Sequence, residues 1–115
     1  MKFAIPVEDN KGLNSEIGFH FGRVPFFVIW DEEEDSINVI DNRSSHRGGA
    51  KLPAEFLADH CNGILCSGIG SRAISLCKEF GVRVFMGASG TVKETIELYK
   101  AGKLNEASPD EGCQH

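Results

Sequence analysis

The second half of the sequence alternates short apolar runs with helix-length amphipathic segments, and this pattern restricts the fold more than any other feature. Residues 64–66 and 82–86 have strand length, and each run is followed by a glycine-containing loop. The segment after the first loop carries an apolar stripe at helical spacing, formed by Ala73, Ile74, Cys77 and Phe80. Alternating strands and helices predict an α/β domain with parallel strands.

Capping residues mark where three helices begin and end. Pro53 suits the first turn of a helix that ends near His60, because its missing N–H costs nothing at that position. Gly81 closes the second helix. Thr91 and Glu94 have the spacing of a capping box that starts a third helix before Gly102.

The first half predicts three strands, at residues 2–7, 25–30 and 36–40, with an acidic turn at 31–35. The last two form an antiparallel hairpin. Right-handed crossovers then give a five-stranded mixed sheet of order 3-2-1-4-5, in which strand 2 is antiparallel. We expect residues 1–105 to form a single domain and the polar residues 106–115 to form a flexible tail.

Composition and charge exclude several classes of protein. With 41% hydrophobic and 25% charged residues, the 115-residue chain is globular rather than disordered. No apolar run approaches the roughly 20 residues of a membrane span. The net charge of −5, without a basic patch, argues against nucleic acid as a partner. The four cysteines include no C-x-x-C pair, and the sequence shows no secretory signal pattern. We therefore expect a reducing cytoplasmic location rather than a disulfide framework.

The predicted sheet reverses its order between strands 1 and 4, and ligands favour the carboxyl edge at such a point. Loops at that edge carry candidate cofactor-binding residues, namely His20, Arg23, His46, Cys66, Gly68 and Gly70. Imidazole and thiolate suit iron, zinc and iron–sulfur centres, so His20 and Cys66 are also candidate metal ligands. Arg23, together with Arg47 and Arg72, is suited to neutralising an anionic cluster. Glycine allows a bulky ligand to approach the backbone.

Each of these candidates also has a purely structural interpretation. His20 and His46 fit solvated loop positions, and Cys66 fits a packed thiol at the end of a buried strand. Cys77 lies on an apolar helical stripe, which favours core packing.

The tail offers one more candidate metal ligand, Cys113, with His115 two residues later. Fully extended, residues 103–115 span about 43 Å. A five-residue strand is only about 17–20 Å long, so the tail is able to return to the carboxyl edge. An idle thiol in a disordered tail is the other interpretation.

The motifs of common enzymes are incomplete in this sequence. Gly68-x-Gly70-x-x-Ala73 follows a strand and opens a helix, as a dinucleotide fingerprint does, but residues 86–89 contain no carboxylate. Strands 1 and 4 lack the carboxylates of a two-metal nuclease, and there is no Gly-x-Ser-x-Gly elbow. We therefore expect a protein that is not an enzyme.

Three segments carry a resemblance to a known family: HFGRVPFF at 20–27, GIGSRA at 68–73 and GASGTV at 87–92. Together with the opening residues 1–7, they resemble the signatures of the dinitrogenase iron–molybdenum cofactor biosynthesis family. The resemblance implies a ribonuclease H-like motif fold without nuclease activity. It also implies binding or carriage of an iron–molybdenum cofactor or its iron–sulfur precursor, with His20 as a cofactor ligand.

Two functions follow from these observations. The first is a non-enzymatic carrier for an iron–molybdenum or iron–sulfur type cluster, which works with a cofactor-biosynthesis or recipient protein. The second is an interaction or regulatory module that uses the same edge for a small anion or a protein partner, without metal.

Overall fold

The computed structural model describes residues 1–19, 21–44 and 52–107 and contains one six-stranded sheet of order β3-β2-β1-β4-β5-β6. The strands are β1 (Lys2–Val7), β2 (Phe26–Asp31), β3 (Ser36–Asp41), β4 (Gly63–Cys66), β5 (Arg83–Met86) and β6 (Asn105–Glu106). The helices are α1 (Pro53–Ala58), α2 (Ser71–Glu79) and α3 (Val92–Lys100). A single 3-10 turn covers Gly12–Asn14.

The pairing of the first five strands follows the sequence prediction. β2 lies antiparallel between β1 and β3, whereas β4 lies parallel to both β1 and β5. The mixed sheet, its antiparallel second strand and the three helices are therefore confirmed. The ribonuclease H-like designation stays a prediction.

The prediction of only five strands is wrong, because β6 adds a sixth strand antiparallel to β5. The amide of Ala107 donates to the carbonyl of Val84 at 2.8 Å. The Arg83 guanidinium donates to both carboxylate oxygens of Glu106 at 2.8 and 2.7 Å. Both residues of β6 are exposed, so the strand has no apolar pattern by which the sequence would reveal it.

The sheet separates two apolar clusters, because successive side chains of a strand point to opposite faces. One cluster lies under α1 and α2 and includes Phe27, Leu57, Ile64, Cys66, Ile74 and Cys77. The other lies under α3 and includes Phe3, Ile5, Trp30, Leu65, Val92 and Ile96.

Trp30 is the only tryptophan of the chain, and it lies almost fully buried in the cluster under α3. Its ring stacks on Phe3 with the centroids 5.5 Å apart, and its indole N–H donates to Asp35 at 3.2 Å. It therefore lies on the face of the sheet opposite α1 and α2.

The helix ends follow the local signals in the sequence. Thr91 and Glu94 form the predicted capping box of α3, with both of its reciprocal hydrogen bonds present. Gly81 and Gly102 follow α2 and α3 with φ values of +79° and +72°, a conformation that favours glycine. Among the helices of the described ranges, none has both the length and the apolarity required to cross a bilayer.

Candidate functional site

A groove of about 660 Å³ opens at the carboxyl edge of the sheet, on the face covered by α1 and α2. It is bounded by the loop before β2, the start of α1, the loop after β4 and the first half of α2. Its lining comprises Phe19, Phe21, Gly22, Arg23, Leu52, Pro53, Ala54, Gly68, Ile69, Gly70, Arg72, Ala73 and Leu76. The groove therefore brings together three of the predicted cofactor-binding residues, Arg23, Gly68 and Gly70.

The groove is cationic although the chain as a whole is acidic. Arg23 and Arg72 are exposed at its margin, and the described residues that line it include no carboxylate. Neither guanidinium forms an ion pair with a carboxylate within the described ranges. Two uncompensated positive charges beside an apolar surface favour an anionic ligand.

Gly68 and Gly70 are not required by packing. A Cβ added at either position meets no described atom within 4 Å, and neither residue has a positive φ. Gly63 is different, since a Cβ there would lie 2.8 Å from the Phe3 ring. The space in front of Gly68 and Gly70 belongs to the groove, so a ligand is able to approach the backbone there.

The first turn of α2 is left without a side-chain cap. The amides of Ser71, Arg72 and Ala73 begin the helix and therefore have no intrahelical acceptor, and Gly70 at the N-cap position has no side chain to supply one. α3 begins at the same edge of the sheet, but Thr91 and the Glu94 carboxylate cap its amides. The positive end of the α2 dipole is therefore available to an anion, whereas that of α3 is satisfied internally.

One wall of the groove is apolar and open to solvent. Phe19 is 74% exposed and Leu52 is 37% exposed, which is unusual for large apolar side chains. The sequence prediction missed both residues. They are 33 positions apart, and no local pattern indicates that both line one groove. The one available signal is that Phe19 lies next to His20.

Cys66 lies inside the core rather than in the groove. Its side chain is only 1% exposed, and its Sγ lies 3.7 Å from the carbonyl oxygen of Phe85, to which the thiol donates. Cys66 ends β4 at the expected edge, yet its thiol is not among the groove-lining groups. Ligation by Cys66 would require the core to open, and this role stays a prediction.

The other candidate ligands, His20, His46 and Cys113, lie outside the described residues, as does Arg47. The two sequence neighbours of His20, namely Phe19 and Phe21, both line the groove. In the part of the chain that is described, no group of three or more His, Cys, Asp or Glu side chains is arranged to hold a metal ion.

Cys61 and Cys77 are core residues. Both are buried in the cluster under α1 and α2, and burial raises the pKa of each thiol from 9.0 to about 12. Such thiols remain protonated at neutral pH and are poor ligands and nucleophiles. The core interpretation of Cys77 is confirmed.

Comparison with known proteins identifies relatives over most of the chain. The model of the dinitrogenase iron–molybdenum cofactor family matches residues 1–102. An uncharacterised protein of Methanocaldococcus jannaschii is 30% identical over 112 residues, which cover 92% of this chain and 91% of that protein.

Two solved structures share the fold. The NMR structure of a Thermotoga protein described as NifB-like has 30% identity and a TM-score of 0.75, with 91% of each chain covered. The apo orange protein of Desulfovibrio gigas has a TM-score of 0.80 over 92% of each chain, but its 22% identity establishes similarity of fold alone. The match over residues 1–102 shows that this chain belongs to the dinitrogenase iron–molybdenum cofactor family.

Proposed function

We propose that the protein is a non-enzymatic carrier, and that its cargo is an anionic metal–sulfur cluster of the iron–molybdenum or iron–sulfur type. The observation that carries this proposal is the groove itself. Arg23 and Arg72 line it, and α2 begins there without a side-chain cap. The chain belongs to a family that is named after the dinitrogenase iron–molybdenum cofactor, and this supports the choice of cargo.

The charge of the groove suits such a cargo. Clusters rich in sulfide carry net negative charge, and their sulfur atoms accept hydrogen bonds. Arg23 and Arg72 supply charge-assisted donors, which are stronger than neutral ones. The chain carries a net charge of −5, so this local excess of positive charge is needed to attract an anion.

Different residues would make different contacts with the cluster. We assign direct ligation to His20, because imidazole is a common ligand of such metals and its neighbours Phe19 and Phe21 line the groove. Gly68 and Gly70 leave room for the cluster to reach the backbone. His46 and Cys113 are further proposed contacts.

We propose that this carrier works in the cytoplasm and passes its cluster to a cofactor-biosynthesis or recipient protein. Residues 1–105 would form the cargo-binding domain, and 106–115 a separate tail. Glu106 and Ala107 already pair with β5, so these two residues belong to the sheet rather than to such a tail.

Cluster loading under anaerobic conditions tests the proposal. We expect the protein to acquire visible absorption and bound metal, and we expect Arg72→Ala to lose most of both. Lys78→Ala is the matched control, because it removes one exposed positive charge from the other end of α2. His20→Ala is expected to lose metal as well.

Equal metal content in the Arg72→Ala, Lys78→Ala and unmodified proteins would contradict the groove as the cargo site. A protein that acquires neither colour nor metal under any loading condition would leave the metal-free interaction module as the better description.

A further inference from the structure

The groove contains more apolar surface than an inorganic anion uses. Besides Arg23 and Arg72, the described residues that line it are glycines and Phe19, Phe21, Leu52, Pro53, Ala54, Ile69, Ala73 and Leu76. Its volume of about 660 Å³ falls in the range of small-molecule sites, which are mainly apolar with a few well-placed polar groups. This composition fits a ligand with an apolar, preferably aromatic, body and an anionic end.

The anionic end of such a ligand has a defined place. β4, the glycines at 68 and 70 and α2 form a strand–glycine loop–helix unit, in which the open N-terminus of the helix faces the groove. A phosphate group at this position would accept hydrogen bonds from the first-turn amides and from the Arg72 guanidinium. Arg23, which also lines the groove, supplies a second positive charge.

The aromatic body also has a defined place. Phe19 presents a largely solvent-exposed ring to the groove, and Leu52, which is partly exposed, lines the same groove. A planar base is able to stack on such a ring, which covers apolar area that is otherwise in water.

We propose that this groove also binds a nucleoside monophosphate, with the phosphate at Arg72 and the start of α2 and the base against Phe19. Residues 86–89, at the end of β5 and directly after it, lack the carboxylate that binds ribose in dinucleotide sites, which argues against a dinucleotide. The proposal goes beyond the carrier function. The nucleotide would occupy the same groove as the cluster, so the two ligands would compete. The nucleotide site does not depend on which cargo the protein carries.

Titration of the 15N-labelled protein with AMP tests this proposal. We expect saturable shifts of the backbone amides at residues 68–73 and at Phe19. Adenosine and inorganic phosphate, each titrated alone, should bind at least about tenfold more weakly, because each uses only one half of the groove.

Two pairs of variants make the test specific. Arg72→Ala should weaken AMP binding about tenfold, as expected for loss of a charge-assisted hydrogen bond, whereas Lys78→Ala should not. Phe19→Ala should weaken binding of AMP but not that of phosphate. Phe80→Ala is the control for Phe19→Ala, since Phe80 is a partly exposed ring at the far end of α2.

The outcomes separate the two proposals. A protein that loads a cluster but shows no AMP-induced shifts in the millimolar range overturns the nucleotide site and leaves the carrier function intact. Saturable AMP binding without cluster loading overturns the carrier function alone. Tighter binding of an acidic peptide containing phenylalanine than of AMP would also overturn the nucleotide site and would indicate a protein-docking groove.

Discussion

At the scale of single residues, burial determines the chemistry of the described cysteines. Cys61, Cys66 and Cys77 are all buried and form no disulfide within the described ranges. Burial raises the pKa of the Cys61 and Cys77 thiols to about 12, because the interior disfavours the thiolate. These thiols act as small apolar groups of the core, and their titration affects stability rather than chemistry.

This burial predicts how stability depends on pH. Each folded-state pKa lies above the ordinary value of 9.0, so the stabilisation is fully present below pH 9.0 and is lost as the pH rises towards 12. The free energy of unfolding should fall by up to about 1.4 kcal/mol per pH unit for each thiol. Urea unfolding at pH values on both sides of 9.0 measures this slope.

The variant in which Cys61 and Cys77 are both replaced by alanine is the control for this slope. It retains every other titrating group, so it should show a shallower decline of stability above pH 9.0. The same decline in both proteins would show that the two thiols do not contribute.

At the scale of elements, the two nine-residue helices α2 and α3 begin at the same edge of the sheet but differ in how their N-termini are capped. α3 carries the Thr91 and Glu94 capping box, whereas α2 begins at Gly70 with no side-chain cap. An N-cap side chain typically stabilises a protein by about 1 kcal/mol relative to alanine, and by a few tenths relative to glycine. The absence of a cap on α2 is therefore a small loss of stability at a position that faces the groove.

Substitution at Gly70 separates stability from binding. Gly70 has φ −70° and ψ 158°, an ordinary N-cap conformation, and an added Cβ meets no described atom within 4 Å. Gly70→Asp and Gly70→Asn should both stabilise the protein by about a few tenths of a kcal/mol. Gly70→Asp should abolish binding of cluster and AMP, because its carboxylate competes for the same amides.

Gly70→Asn is the matched control, because it has nearly the same shape without the charge. Its loss of binding should be clearly smaller than that of Gly70→Asp, as measured by metal content and by AMP titration. Equal binding by both variants would show that the N-terminus of α2 does not contact the anion.

The elements also show which parts of the molecule the sequence could predict. Local signals sufficed for the Thr91 capping box, and the crossover rule sufficed for the order of five strands and for grouping Arg23, Gly68 and Gly70 at one edge. β6 could not be predicted, because it depends on backbone pairing with β5, in which Phe85 lies opposite Glu106, a residue distant in the sequence. The apolar wall of the groove was missed for the same reason, because its residues are distant in the sequence. The burial of Cys66 could not be predicted either, because it depends on which face of the sheet its side chain occupies.

At the scale of the whole molecule, the groove and the acidic turn 31–35 lie towards opposite ends of β2. β2 begins near the groove and ends at the acidic turn 31–35, which also lies near the amino terminus. A six-residue strand is about 20 Å long, roughly twice the Debye length of about 10 Å at 0.1 M salt. The acidic turn and the groove are therefore screened from one another in solution.

This separation predicts a specific response to charge changes. Raising the ionic strength should weaken binding of AMP and slow cluster loading, because both depend on the groove arginines. Neutralising the acidic turn with Glu33→Gln and Glu34→Gln should leave both nearly unchanged at 0.1 M salt, since the turn is about two Debye lengths away. AMP titration of this double variant measures the effect, and a several-fold change in affinity would contradict the prediction.

The position of Trp30 gives the protein a built-in optical reporter. Its indole is the only one in the chain and lies in the cluster under α3, on the other face of the sheet from the groove. The molecule measures 31 × 28 × 24 Å, so a coloured cluster in the groove would lie close enough to accept excitation energy from this indole. A colourless nucleotide would not, and quenching of emission would therefore distinguish a loaded cluster from a bound nucleotide in the same cuvette.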